Sequence, residues 1–405
     1  MGIAKRMWEE EQERGYSANE GITVCTNCFE EYGLRRFIED NQTGSSCSYC
    51  EVQGEDVAAC ELDLLIEHIV SSILLEWGHP ANEGLPYETR EGGWQVAPVY
   101  DTWDLLDEIG LGNLHGDTYN DICTSIHNQE WCEKNPYSLS IDRTLFFGWQ
   151  KFSDFVKNKA RYLFLRTKNP DYDEHQHDEM DPIRILDALG EIVMSIGLIK
   201  PISVDEEIRR VRITDPEKIL NSAKDLGSPP IGFATMANRM SPAGIPMFYG
   251  AFDIETTILE TYTPCKSDKK ANCGIFKPTR DLLVIDLSAT PYVPSLFDEY
   301  ERNKRDYMKF LFDFIDDFTK PIERSDRVHI DYVPTQIVTE YFRYVFESED
   351  NTPIDGVIYP SSKNEGKQAI VLFAASEQCA EAEDSRTENK LLRLVDIESR
   401  DLKGV

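Results

Sequence analysis

The sequence predicts a multidomain α+β chain in three parts: a small zinc-ribbon-like module over residues 1–51, a mostly helical domain over 52–200, and a mixed α+β domain over 201–405. Three observations predict it. Two Cys-x-x-Cys pairs lie close together near the start, and an apolar stripe at helical spacing follows them. From about Pro201 the pattern changes to short apolar runs separated by Gly, Pro and Asp. A length of 405 residues is consistent with two or three domains.

Composition narrows the function classes. With 73 acidic and 42 basic side chains the formal charge is −31, while 41% hydrophobic and 11% aromatic residues suffice for packed cores. So acidic a chain repels phosphate backbones, which argues against non-specific nucleic-acid binding but leaves room for a locally basic pocket for a small anion. No charge-free stretch exceeds 13 residues, as in Met240–Phe252, too short for the ~20 apolar residues of a membrane span. The start, Met1–Arg14, is charged and lacks an apolar secretory core, so a cytoplasmic location is expected.

Of ten cysteines, four are spaced informatively: Cys25-Thr-Asn-Cys28, then 18 residues, then Cys47-Ser-Tyr-Cys50. Two such knuckles bring four thiolates around Zn²⁺ without strain, and a closed four-sulfur site is structural because no position remains for a catalytic water. Four unrelated thiols or a redox pair are the alternatives. Gly44 is read as supplying a tight turn ahead of the second knuckle. Nine acids against five bases over residues 1–50 favour a packing or protein-contact role. The other cysteines (Cys60, Cys123, Cys132, Cys265, Cys273, Cys379) read as packing residues.

In the middle, Leu62, Leu65, Ile66, Ile69, Ile73 and Trp77 mark one helix stripe, with Asp63, Glu67 and His68 on other faces and Gly78 and Pro80 ending it. Leu145–Leu165 and Ile183–Leu198 read as further helices. Between them, Asn169–Asp181 is a polar loop whose His175 and His177 are of metal-ligand type, but nothing fixes their geometry, so the reading is a solvated surface loop.

After Pro201, Met247–Phe252, Leu282–Leu287, Gly356–Tyr359 and Ala369–Phe373 read as strands, and Tyr300–Phe318 and Thr335–Phe346 as helices. Ser376–Lys390 reads as a mobile acidic linker. The informative stretch runs from Asn238 to Glu260: Arg239 in a Pro/Gly-rich loop, Tyr249 on a short strand, and a helix capped by Asp253. Glu255 and Glu260 on that helix differ by roughly 140°, so only one faces a given pocket. Further on, Ser361 and Ser362 present hydroxyls at a turn after a strand. Arg209, Arg210 and Arg212 alternate along a strand-like stretch, with Arg210 read as facing away from the other two. Singly, these residues have bland readings: a surface ion pair, a core aromatic, a solvated acid, a turn serine.

Together they resemble the RES-domain proteins, named for Arg, Glu and Ser. The resemblance covers about Val204–Phe373 and rests on Arg210-Val-Arg212, Ser228-Pro-Pro230, Arg239-Met-Ser-Pro-Ala-Gly-Ile-Pro, Phe248-Tyr-Gly-Ala, Glu255-Thr-Thr-Ile-Leu-Glu260, Tyr332-Val-Pro-Thr-Gln336 and Ile358-Tyr-Pro-Ser361. The domain ahead resembles the zinc-bearing helical module, related to HEPN domains, that precedes some members. The resemblance implies an ADP-ribosyltransferase-like fold and an NAD⁺-degrading enzyme of toxin–antitoxin type. It carries the family's arginine to Arg239, with Arg210 as a second candidate, its tyrosine to Tyr249, its glutamate to Glu260 and its serine to Ser361. Gly250 departs from the larger aliphatic residue of many members, and Tyr262–Ala271 reads as an insertion-like loop.

The chemistry suits these residue types. Nicotinamide leaves NAD⁺ as a neutral ring, and positive charge gathers on the ribose, as in other glycosyl transfers. A carboxylate at Glu260 would stabilise that charge and orient water or phosphate. Arginine offers a pyrophosphate a planar fork. Tyr249 is placed to stack on nicotinamide or bond the ribose, and Ser361 to bond the carboxamide or a ribose hydroxyl. Beyond structural zinc no cofactor is required; NAD⁺ is the substrate. ADP-ribosyl transfer to a macromolecule is the alternative chemistry, and a zinc/helical RNase or binding platform the alternative class. The one Arg-x4–6-His match, Arg324 to His329, falls outside the helical module in a predicted loop or strand and is read as coincidence. The resemblance implies control by an antitoxin or by the N-terminal half, and a homo-oligomer stays open.

Overall fold

The computed structural model describes residues 11, 14–50, 52–111, 116–166, 180–289, 292–320, 327–384 and 388–403. His175, His177 and Arg324 lie outside them. The chain divides into two compact units, Met1–Ile141 with Tyr292–Lys309, and Asp142–Pro291 with Phe310–Val405. Among the described residues no helix is long and apolar enough to cross a membrane.

In the first unit β1 (Thr23–Cys25) pairs antiparallel with β2 (Ala59–Glu61). Helix Tyr32–Asp40 lies between them in sequence, its start capped by Glu31, whose carboxylate accepts from the Leu34 N–H at 2.7 Å. Helix Leu62–Glu76 buries Leu62, Leu65, Ile66, Ile69 and Ile73, and Trp77 just beyond it, as the stripe predicts; each such side chain contributes about 1.5–3 kcal/mol. His68 departs from the expectation: it is buried, its ring stacked on Phe37 with centroids 3.9 Å apart and Nε2 2.8 Å from the Phe297 carbonyl. The cause is a distant segment. Tyr292–Lys309 belongs to this unit and covers that face, with Arg302 donating to Ser72 at 3.2 Å and Arg305 to Glu76 at 2.8 Å. Burial lowers the His68 pKa. Helices Thr102–Glu108 and Gly116–Ser125, and the strand pairs β3 (Trp77–Gly78) with β6 (Cys132–Glu133) and β4 (Tyr87–Glu88) with β5 (Gly93–Trp94), complete it.

The second unit is built on a nine-stranded mixed sheet. Its strands are β7 (Ile199–Ile202), β8 (Ile208–Thr214), β9 (Phe248–Ala251), β10 (Lys269–Pro278), β11 (Leu282–Asp286), β12 (Gly356–Pro360), β13 (Gln368–Leu372), β14 (Cys379–Ala380) and β15 (Leu392–Leu402). They run in the order β14-β15-β10-β8-β9-β13-β12-β11-β7, with β11–β12 and β14–β15 parallel and the other pairs antiparallel. Strands β9, β11, β12 and β13 lie where the apolar runs predict them. The long pair β10 and β15 is not foreseen, and part of Ser376–Lys390 is structured as β14. Helices Ile141–Asn158, Ile185–Ile196 and Val333–Tyr344 answer to predicted ones, and Gly197 ends the second in the left-handed region at φ 76°. Helix Arg305–Thr319 also matches; Arg305–Lys309 at its start are assigned to the first unit. His329 sits in a short helix, Val328–Asp331, not in a loop or strand.

Candidate active site and cysteine cluster

The four predicted cysteines converge. Sγ separations are 4.0 Å for Cys25–Cys28 and 3.5 Å for both Cys25–Cys50 and Cys28–Cys47, and all four lie within 4.8 Å of one another. Metal–sulfur bonds of ~2.3 Å in a tetrahedron place sulfurs roughly 3.8 Å apart, so the donors fit a Zn²⁺-sized ion. Burial pushes the Cys25 thiol up to about 11 and Cys28 higher still. At Cys47 burial pushes the same way, but backbone N–H groups of Cys50 and Tyr49 outweigh it and bring the thiol down to about 7. The knuckle is strapped in place: Ser48 N–H donates to Thr23 O at 2.9 Å, and the Tyr49 hydroxyl donates to Asp121 at 2.8 Å. Gly44 forms a bridge with Ala59 instead of a special turn. Cys60, Cys123, Cys132, Cys273 and Cys379 are buried as expected, whereas Cys265 is partly exposed.

In the sheet, residues two apart share a face. Ala369 lies opposite both Tyr359 and Ala251, so Tyr249, Ala251 and Tyr359 face one side. Helix Ile254–Thr261 covers that side, its Ile258 clustering with Val211, Ala271 and Cys273. Asp253 caps it as predicted, accepting from Thr256 N–H at 2.8 Å, a bond of about 1 kcal/mol. The two glutamates diverge as the helical angle requires. Glu255 is exposed and pairs with Arg400 at 3.0 Å, while Glu260 accepts from the Ser361 hydroxyl at 2.5 Å.

Ser361 is held on all sides. Its oxygen accepts from the N–H groups of Lys363 and Asn364 at 3.2 and 3.1 Å, and its one proton goes to Glu260. Asn364 Nδ2 donates to Thr256 Oγ1 at 2.8 Å, and Thr256 in turn donates to Asp253 at 2.8 Å. The turn after β12 is thereby laced to both ends of the Glu260 helix.

Tyr249 shares a 2.8 Å hydrogen bond between its hydroxyl and Ser241 Oγ, and burial pushes its phenol up to about 12. Arg239 donates through Nη1 to the carbonyls of Phe318 and Lys320, both at 2.8 Å, and its guanidinium lies 5.9 Å from the Tyr332 ring centroid. Tyr359, given no role in the sequence reading, ties these groups together. Burial raises its phenol pKa, Glu260 and Tyr249 add to that, and Arg239 opposes it. By register Tyr359 shares a sheet face with Tyr249, and it lies two residues before Ser361, which bonds Glu260. Their one sequence signal is membership in the motifs quoted above.

The arginine parity needs correction. Positions 210 and 212 are two apart on β8 and share a face, while Arg209 is the odd one out, opposite Ala251 and bonded to Phe252 O at 3.1 Å. Pairing of β8 with β9 is confined to Arg209↔Ala251. Beyond that pair Arg210 donates to the Tyr249 carbonyl at 2.6 Å, and Arg212 to Gly227 O at 2.9 Å. Both Nε atoms are buried without a hydrogen-bond partner. Burial, and then Arg212 beside it, pull the Arg210 pKa down to about 9. Gly250 is required where it stands, since an added Cβ would lie 2.6 Å from the Arg209 carbonyl oxygen and 3.0 Å from the Phe248 ring.

With this geometry in place, comparison with known families assigns the chain to a class. The family model for HEPN/RES N-terminal domain 1 matches residues 40–170, and that for the RES domain matches residues 209–393. The chain belongs to the RES family and carries a HEPN/RES N-terminal module ahead of its RES domain. No curated protein and no solved structure matches it.

Proposed function

We propose that the RES domain cleaves NAD⁺ at the nicotinamide–ribose bond, as a glycohydrolase or phosphorylase with an ADP-ribosyltransferase-like fold. The observation that carries this reading is the Ser361–Glu260 hydrogen bond beside Tyr249 and Tyr359. The bond from ribose C1′ to the ring nitrogen breaks, and its electron pair leaves with nicotinamide, cancelling the ring's charge. Water or phosphate forms the new bond at C1′. Glu260 stabilises the positive ribose and orients that acceptor, with water's proton passing to the carboxylate or solvent. Saturated as it is, Ser361 orients Glu260 instead of bonding substrate. Among the described residues Arg239 has acceptors only at Nη1, which leaves Nε and Nη2 for an anion, whereas Arg210, the second candidate, lies over Phe248 on the sheet face away from Tyr249.

On this reading Zn²⁺ at Cys25, Cys28, Cys47 and Cys50 is structural, the parts are a zinc module (1–51), a HEPN-like domain (52–200) and a RES-type domain (201–405), and the enzyme depletes cytoplasmic NAD⁺ as a toxin or defence effector. An antitoxin or the N-terminal half would then restrain it. The test is incubation of purified protein with NAD⁺ while nicotinamide release is followed. Glu260→Gln should slow release by at least about 100-fold, the scale of losing an electrostatic stabiliser. Equal rates for the parent and this variant would refute the mechanism. Free ADP-ribose, its 1-phosphate or a labelled macromolecule identifies the acceptor.

A further inference from the structure

We propose that Gln336, with Thr335, is a positioning residue that clamps the turn Asn238–Ser241 and thereby sets Arg239 and Tyr249 for binding the dinucleotide; the binding role rests on the NAD⁺ reading above. The turn is closed by reciprocal backbone bonds, Asn238 N–H to Ser241 O at 2.8 Å and Ser241 N–H to Asn238 O at 3.4 Å. A carbonyl has two lone pairs, so each of these oxygens can take a second donor. Gln336 Nε2 supplies both, at 2.8 Å to Asn238 O and 3.3 Å to Ser241 O. A side-chain amide has two protons, and here both go to one turn. Thr335 Oγ1 shares its one proton between the carbonyl of Arg239, which lies between those two, and the Tyr332 carbonyl at 3.0 Å. Three of the turn's four carbonyls are thus held by adjacent residues in the first turn of helix Val333–Tyr344.

Both side chains are buried, Gln336 at 8% exposure and Thr335 at 6%. Buried donors of this kind are costly unless satisfied, so the helix and the turn specify one another. From the clamped turn two side chains leave for the site: Arg239 toward the carbonyls of Phe318 and Lys320, and Ser241 to the Tyr249 hydroxyl. Without the clamp the helix Ile254–Thr261 keeps its own ties through Asp253 and Asn364, so Glu260 stays in place. The effect should therefore fall on binding more than on the chemical step.

The test compares the intact protein with Gln336→Met, which removes both donors at similar volume, Gln336→Glu, which turns acceptor oxygens onto two carbonyls, Thr335→Val, and Thr335→Ser, which keeps the hydroxyl. Hydrogen exchange is followed by mass spectrometry over peptides covering residues 236–246. Gln336→Met should speed exchange there by about ten-fold, the scale of one or two lost hydrogen bonds, and leave the peptides around Glu260 unchanged. In NAD⁺ cleavage it should raise KM by about ten-fold while kcat falls less than about three-fold. Thr335→Val should move KM the same way and Thr335→Ser should restore it. Should Gln336→Glu fail to fold, Gln336→Met and the Thr335 pair carry the test. Unchanged exchange over 236–246 overturns the clamp, and faster exchange with unchanged KM overturns its role in binding. If the parent leaves NAD⁺ intact, the reading of the reaction fails instead, and the exchange rates alone decide the clamp.

Discussion

A hydroxyl has one proton to give, and Ser361 gives it to Glu260 while accepting from two backbone N–H groups. Ser361→Ala should therefore act through Glu260's orientation. We expect kcat for NAD⁺ to fall by about ten-fold with little change in KM, because one charge-assisted hydrogen bond is lost and no substrate contact is. A large rise in KM with kcat intact would instead make Ser361 a substrate ligand. Residue-level legibility was uneven for a physical reason. The eleven-residue spacing from Tyr249 to Glu260 spans one strand and one helix, where local periodicity fixes orientation, and Asp253 caps that helix as its position predicts. Ser361 reaches Glu260 across 101 residues of chain through the register of β9, β13 and β12, which local patterning does not encode. Period two alone puts Arg210 and Arg212 on one face of β8 and Arg209 on the other, so the odd member is Arg209 and not Arg210.

At the scale of elements, dense apolar strands such as β11 and β13 announced themselves. Strand β10 (Lys-Lys-Ala-Asn-Cys-Gly-Ile-Phe-Lys-Pro) carries Asn, Gly and Pro, and the second half of β15 is largely exposed and charged, so both resemble loops until they pair. The burial of His68, off the apolar stripe, is unreadable locally for a similar reason, its cover arriving from Tyr292–Lys309. Strand β7 is joined to β11 by an ion pair as well as the ladder: Lys200 Nζ donates to Asp286 at 2.9 Å, and the other carboxylate oxygen takes Ser288 and Ala289 N–H groups. Burial pushes this carboxyl up, but Lys200 and Ser288 outweigh it and hold its pKa below the ordinary aspartate value of 3.8. A carboxyl depressed by folding stabilises the native state above its unfolded pKa and loses that contribution as pH falls through its folded one. Asp286→Asn should therefore lower Tm at pH 7, with a smaller gap to the parent at a pH below 3.8, where the folded carboxyl begins to take up its proton. Melts showing the same gap at both pH values would rule out the ion pair as its source.

For the whole molecule, charge and division into units make a joint prediction about unfolding. A chain at −31 repels itself, and raising salt from 0.1 to 1 M shortens the screening length from about 10 to about 3 Å. Each unit has its own buried apolar cluster, so each can melt on its own terms, and a single two-state transition is not required. The first unit also contains the cysteine cluster; Cys25, Cys28 and Cys47 belong to its core, so removing a metal held there would leave buried thiols that must separate or protonate. Calorimetry should resolve two transitions, both moving upward with added salt. Stripping metal with a chelator, or the substitution Cys28→Ser, should move one of them down by several degrees, in keeping with metal binding that is itself folding free energy, and leave the other in place. Exchange protection can assign them: helix Leu62–Glu76 should lose protection with the metal, whereas β9 and β13 should retain theirs. A single transition displaced as a block by the chelator would mean that the two cores unfold together.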